Sequence, residues 1–270
     1  MDRPHGEMAV TGMPHVLVVA GSDCSGGAGI VRDIETLAAF GVKASVAITA
    51  VTIQTHHGVE HVDAVSPERV AGQMRAALKA NPIAAIKIGM LATAGTIRAV
   101  DDMLADHPAL PVVLDPVLAS SSGRALLTED AMEPLLRLFR RCALITPNLP
   151  ELALLSGAAS TLAPLEQAKH LVTAGAPAVL VKGGHGEGPA SADILVRPDR
   201  DPYSFTAPRL AVSMRGTGCM LASAVAARLS LGDDLETAIA SAKSFVHERL
   251  REMVANTAPG SIVRLPGLQN

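Results

Sequence analysis

Aromatic side chains are nearly missing from this chain. It has no Trp, one Tyr and four Phe in 270 residues. That excludes the stacking platforms that hold single-stranded nucleic acid, and it leaves a core of Ala, Val, Leu and Ile. An excess of one charge is missing too. Lys and Arg number 23 against 26 Asp and Glu, a net charge of −3, which gives no electrostatic footprint for DNA, RNA or an anionic membrane. Cysteine is scarce. Cys24, Cys142 and Cys219 are an odd, widely spaced set that excludes a disulfide framework and offers no pair at zinc spacing. No stretch approaches the roughly 20 uninterrupted apolar residues of a membrane span. Residues Met1 to Met13 mix His, Pro, Gly and acidic side chains without the apolar core of a signal peptide. The expectation is a soluble cytoplasmic protein with no nucleic-acid and no membrane partner.

What is present is a core-forming composition, 49% hydrophobic and 18% charged, of a folded α/β protein. Short apolar runs at His15–Ala20, Lys43–Thr49, Ala84–Ile88, Val112–Leu114, Ala143–Ile145 and Ala178–Val181 read as buried strands, and Val59–Val65 as a more exposed one. Between them lie helical patterns. Ala28–Phe40 places Ile30, Ile34, Leu37 and Ala38 on one face, and Pro67–Lys79 does the same with Val70, Met74, Ala77 and Leu78. Gly216–Leu231 and Asp234–Val254 read as two consecutive helices that make up the C-terminal third. Such alternation predicts a mostly parallel sheet covered by helices on both faces. With no repeat or linker signal, the division is a flexible segment over 1–13, one domain over 14–258 and a tail over 259–270.

In such sheets ligands gather at the carboxyl ends of the strands, and the polar punctuation falls there. Gly21-Ser22-Asp23-Cys24-Ser25-Gly26-Gly27-Ala28-Gly29 follows the first strand with four glycines in nine residues, more than a tight connection needs. It lacks the Gly-Lys-Ser/Thr ending of a Walker A loop. Gln54, Lys87-Ile88-Gly89-Met90, Asp115-Pro116, Thr146-Pro147-Asn148-Leu149-Pro150-Glu151 and Lys182-Gly183-Gly184 follow later strands. Asp115 and Glu151 suit Mg²⁺ beside a nucleotide, which takes one or two carboxylates. Asn148 suits either a phosphate or a helix N-cap. Lys182 can reach a phosphate as a mobile point charge, or be a solvated loop lysine. His56, His57 and His61 cluster without an acidic or cysteine complement, which argues against a metal there.

The most informative stretch is Arg215-Gly216-Thr217-Gly218-Cys219, followed at once by the apolar run Met220–Leu231. Gly216 and Gly218 let backbone N–H groups turn toward a common point, and the helix they open adds its positive end. That arrangement suits an anion whose charge grows during a reaction. Cys219 at its mouth is placed where a thiolate would be stabilised.

In this order the motifs resemble the ribokinase-like superfamily, and within it the hydroxymethylpyrimidine/phosphomethylpyrimidine kinases of thiamine biosynthesis. The similarity covers about residues 15 to 253. It implies a three-layer α/β/α fold and ATP-dependent phosphorylation of 4-amino-5-hydroxymethyl-2-methylpyrimidine, then of its monophosphate. It further implies that Gln54 reads the pyrimidine in a pocket shared with Gly21, Asp23, Ala28 and Met90. Asp115 and Glu151 would organise Mg²⁺, while Asn148, Lys182, Thr217 and Gly218 would address the nucleotide phosphates. Gly216 and Gly218 would form an anion hole with Cys219 against the substrate hydroxyl. A homodimer is the expected assembly.

The chain departs from that pattern in places. Cys24 stands where proline is usual, Val31 where glutamine is, and Arg215 where a histidine commonly precedes the Gly-Thr-Gly-Cys turn. Met220 and Ala222 replace Thr and Ser, which removes two hydroxyls beside the anion hole. A pyridoxal kinase on the same scaffold and a pyrimidine sensor without catalysis are the alternatives. Residues Ala119–Thr128, rich in Ser and Gly, are the candidate for a mobile flap.

Overall fold

A computed structural model describes residues 13–257 apart from 121, 186 and 187. The expected N-terminal segment and C-terminal tail, 1–13 and 259–270, lie outside the described residues except for Met13. Nine strands form one sheet in the order β3-β2-β1-β4-β5-β6-β7-β8-β9. They are β1 (His15–Asp23), β2 (Lys43–Gln54), β3 (Val59–Ala64), β4 (Ile83–Ile88), β5 (Val112–Leu114), β6 (Leu144–Ile145), β7 (Val179–Val181), β8 (Ala190–Val196) and β9 (Tyr203–Pro208). The helices are α1 (Gly29–Ala39), α2 (Pro67–Ala80), α3 (Ala94–Ala105), α4 (Met132–Leu138), α5 (Leu149–Ser156), α6 (Pro164–Thr173), α7 (Thr217–Ser230) and α8 (Leu235–Thr257).

The strand period of two sorts the core into two layers. Leu17 and Val19 of β1 point to one face, against Val70 and Met74 of α2 and Ile97 and Val100 of α3. Val16, Val18 and Ala20 point to the other, against Ile30 and Leu37 of α1, Val225 of α7 and Ile239 of α8. The α7 segment Met220–Ala227 is buried throughout, and its run of alanines lets that helix lie close to the sheet. Among the described residues no helix is long and apolar enough to cross a membrane.

The sheet is mostly parallel, as expected, with β3, β8 and β9 pairing antiparallel at its two margins. The β8–β9 hairpin was missed, so the C-terminal third is more than two helices; its signal was the turn Pro198-Asp199-Arg200-Asp201-Pro202 between two strand-like runs. The inward face of α1 also differs. Ile30, Asp33, Thr36 and Leu37 are buried, whereas Ile34 is 41% exposed. A charged residue takes the inward place because Lys87 is waiting there. Lys87 lies within β4, fully buried, and not in a loop at its end.

β1 and β2 run on past their apolar stretches to Asp23 and Gln54, with Asp23 in register with Thr52. Gln54 is therefore the last residue of β2 and not a loop residue. Strand order reverses at β1, where the chain leaves the β2–β3 side and returns to the other side with β4. That switch point positions the site.

Candidate active site

Two helix N-termini meet at the switch point, and neither has a side-chain cap. α1 starts after Ala28, and α7 starts after Gly216 in the left-handed conformation at φ 76°. Their open N–H groups and dipole ends aim at the same place. Glycine is required at both starts. A Cβ on Gly29 would stand 2.4 Å from the Gly21 carbonyl oxygen, and one on Gly216 would stand 2.5 Å from that of Gly27. Backbone thus packs on backbone, and the Gly29 N–H donates to the Cys219 sulfur.

A cleft of about 540 Å³ opens above this junction. Its lining includes Gly21, Asp23, Ala28, Gln54, Met90, Asp115, Asn148, Glu151, Lys182, Gly216, Thr217, Gly218 and Cys219. Every site residue expected from sequence therefore lines one cleft, although seven separate chain segments supply them.

On one side of the cleft, Asp23 takes the Ser25 N–H (2.8 Å) and hydroxyl (2.7 Å) on Oδ1. Its Oδ2 is buried with no hydrogen-bond partner. Burial works against the Asp23 charge, but the Ser25 hydroxyl, the Gln54 amide and Arg215 outweigh it and hold the carboxyl below its usual range. Cys24 braces Gln54, its Sγ lying 3.2 Å from the Gln54 carbonyl oxygen. Met90 completes this wall, and Gly21 leaves room for it: a Cβ there would lie 3.1 Å from the Met90 sulfur.

On the other side, Lys182 Nζ sits 2.6 Å from Asp115 Oδ1 and 3.7 Å from Glu151 Oε2. Burial opposes the Lys182 charge, yet Asp115 and Glu151 raise its pKa above the ordinary value. Burial, with Asp115 nearby, pushes Glu151 up to about 7 despite the attraction of Lys182. Two carboxylates share one ammonium, an uncompensated negative charge. Asn148 and Glu151 also form a reciprocal cap for α5, the Glu151 N–H donating to Asn148 Oδ1 (2.9 Å) and the Asn148 N–H to Glu151 Oε2 (2.8 Å). The capping role weighed for Asn148 is thus real, and it leaves the Asn148 Nδ2 amide as the donor available to the cleft.

Mg²⁺ is implied by the resemblance, and the donor set fits it. Asp115 and Glu151 supply hard oxygen ligands with net charge to spare, and Gly218 leaves the space open. A Cβ there would lie 3.1 Å from Lys182 Nζ and 3.3 Å from Asp115 Oδ2. Among the described residues no group of three or more His, Cys, Asp or Glu is placed to hold a metal alone. His61 pairs with Asp63 at 3.1 Å.

The expected Cys219 thiolate is not the form this environment favours. Burial pushes the thiol up to about 11. Lys87 and the Gly29 N–H pull it down, while Asp33 and Asp115 push it further up. Helix termini alone do not offset that combination. Beneath the turn lies a buried triad that sequence reading missed. Lys87 Nζ reaches Asp33 Oδ1 at 2.8 Å and Oδ2 at 2.9 Å, and the Ser223 hydroxyl donates to Asp33 Oδ1 at 2.7 Å. These residues tie β4, α1 and α7 together.

Sequence reading also missed the far wall of the cleft, where the β8–β9 hairpin and α8 bring Asp193, Arg209, Lys243, Val246 and Leu250. Asp193 accepts the Gly183 N–H (2.8 Å) and pairs with Lys243 (2.9 Å). The candidate flap is fastened by Arg124, which donates to the carbonyl oxygens of Val59 (3.1 Å) and Glu60 (2.8 Å), by the Thr128 N–H on the Ala92 carbonyl (3.0 Å), and by packing of Leu126.

The three-layer α/β/α sheet, with an uncapped helix start, a lysine and paired carboxylates at its switch point, has the architecture of the ribokinase-like class. A model of the family "Phosphomethylpyrimidine kinase" matches residues 23–262, and the chain belongs to that family. It is 41% identical over 238 residues to a hydroxymethylpyrimidine/phosphomethylpyrimidine kinase of Rhizobium meliloti, covering 86% of this chain and 88% of the relative. It is 39% identical over 242 residues to the thiamine biosynthesis multifunctional protein ThiED of Corynebacterium efficiens, of which it spans 33%. Among solved structures it is similar to phosphomethylpyrimidine kinase from Clostridium difficile 630 (TM-score 0.74, 31% identity, 88% of this chain and 99% of that one). It is also similar to pyridoxal kinase from Staphylococcus aureus in complex with pyridoxal (TM-score 0.79, 28% identity, 88% of each).

Proposed function

We propose that this chain transfers the γ-phosphoryl group of ATP to the hydroxymethyl oxygen of 4-amino-5-hydroxymethyl-2-methylpyrimidine, and then phosphorylates the monophosphate to the diphosphate. The observation that carries the ring assignment is the orphaned acceptor Asp23 Oδ2, buried beside Gln54. An exocyclic amino group donates to such an oxygen, and the Gln54 amide offers both a donor and an acceptor to the rest of the ring edge.

With the ring held there by Gln54, Asp23, Gly21, Ala28 and Met90, its hydroxymethyl group faces Cys219. The N–H groups of Thr217, Gly218 and Cys219 meet charge on the transferring phosphoryl. Lys182 and the Asn148 amide hold nucleotide phosphate oxygens. Asp115 and Glu151 are the residues that would hold Mg²⁺, which would supply positive charge beside the nucleotide phosphates. Phosphoryl transfer needs positioning and charge stabilisation more than covalent chemistry. The hydroxyl proton goes to the Cys219 sulfur, which must first ionise. At pH 7 a thiol near 11 is thiolate in about one molecule in 10⁴, so proton removal by Cys219 strengthens as pH rises. The reading extends to a cytoplasmic homodimer. Three free cysteines suit a reducing compartment, and the half-exposed Val51 and Ile53 beside edge strand β3 offer apolar area for a second copy.

ADP release measured with the hydroxymethylpyrimidine, its monophosphate and pyridoxal tests the reading. Turnover of both pyrimidines, well above pyridoxal, is expected. Turnover of pyridoxal alone would assign the cleft to the pyridoxine-class ring, and tight pyrimidine binding without turnover would make the chain a sensor.

A further inference from the structure

Most cations around the cleft already have close partners. Lys87 touches both oxygens of Asp33, Lys182 lies 2.6 Å from Asp115, and Lys243 lies 2.9 Å from Asp193. Arg209 donates to the carbonyl oxygens of Gly183, Gly184, Gly188 and Ala190. Arg215, like Arg209, has only neutral oxygens within hydrogen-bond distance, but it commits one nitrogen to them where Arg209 commits three. Arg215 Nη1 donates to the Thr55 carbonyl at 2.7 Å and the Ser25 hydroxyl at 3.2 Å. The Asp23 Oδ2 atom stands 3.6 Å from its Nη2, too far for a hydrogen bond. A guanidinium is thus held between the ring-reading residues and the glycine turn that opens α7, with 23% of its side chain exposed.

The second phosphorylation brings a substrate that carries its own phosphate. The helix-start N–H groups are occupied by the transferring phosphoryl, so the substrate phosphate needs a separate cation beside the ring. We propose that Arg215 is the specificity-determining residue for the phosphorylated substrate: it gives up the Ser25 hydroxyl and donates to a phosphate oxygen of the pyrimidine monophosphate. Exchanging a neutral acceptor for an ionised one strengthens each hydrogen bond, so this chain favours the monophosphate over the alcohol. The inference rests on the pyrimidine kinase reading above.

Arg215→Gln and Arg215→Lys test it, with kcat/KM measured for both pyrimidines and binding of each measured by calorimetry without ATP. In Arg215→Gln, kcat/KM for the monophosphate is expected to fall roughly 10- to 100-fold more than that for the alcohol. Arg215→Lys, which keeps the charge but not the planar fork, is expected to recover part of the difference. If Arg215 only fastens Ser25 and Thr55 to the glycine turn, both variants lose both substrates in parallel, and that result overturns the proposal. Should Arg215→Gln not fold, the lysine variant decides alone, by keeping or losing the preference. Failure of the wild-type protein to phosphorylate either pyrimidine overturns the functional reading instead. Calorimetry then still tests Arg215, by whether the wild-type preference for the monophosphate disappears in the glutamine variant.

Discussion

The chain holds two short lysine–aspartate pairs, and their surroundings give them opposite work. Lys87–Asp33 is sealed, with both side chains fully buried and the aspartate also bonded by Ser223. Charges match one to one, and the pair bolts α1 and α7 to β4. Lys182–Asp115 is just as close, but its lysine is 12% exposed to the cleft and a second carboxylate, Glu151, stands 3.7 Å away. There the charges do not match, and burial together with Asp115 raises Glu151 to about 7 despite Lys182. A satisfied pair is a strut. An unsatisfied one, facing a cleft and short of positive charge, is where the proposed Mg²⁺ and nucleotide would sit.

Breaking each pair separates the two roles. Lys87→Met strands a fully buried carboxylate, and the expected cost is about 3–5 kcal/mol of unfolding free energy, read by urea denaturation. Lys182→Met leaves carboxylates that cleft water reaches, one of which takes up a proton near neutral pH. Its stability should change by less than half as much, while turnover is lost. Equal destabilisation by the two substitutions would dissolve the distinction.

Cys219 lies between the two pairs and sharpens the comparison through pH. Because its pKa is raised, the thiol stays protonated at neutral pH and ionises as pH climbs toward about 11. Alkylation at Cys219, followed by peptide mapping to separate it from exposed Cys24, should therefore accelerate about tenfold per pH unit between pH 8 and 10. A rate already level at pH 8 would mean that Lys87 and the helix starts outweigh burial, Asp33 and Asp115.

Much of this was legible in the sequence, and the gaps have physical causes. Fully buried strands such as β1 and β5 announce themselves because both faces are apolar. β8 and β9 do not, since they lie at a margin of the sheet and carry polar residues such as Asp193 within them. The cleft residues were legible because glycines, carboxylates and lysines fall just after the strand ends of a parallel sheet. The Lys87–Asp33–Ser223 triad was not. Its members are 54 and 190 residues from one another, and each alone looks like a surface residue. Hydrophobic periodicity even pointed the wrong way in α1, favouring Ile34 over Asp33, because a pattern count cannot see a lysine arriving from another strand.

The most direct test of the account is turnover by Cys219→Ala with the hydroxymethylpyrimidine and ATP. Removing a general base commonly costs roughly 10²–10⁴ in rate, and a loss of that size with nucleotide affinity kept is the expected result. Near wild-type turnover would show that the hydroxymethyl proton leaves by another route, and the place of Cys219 at the centre of the site would be lost.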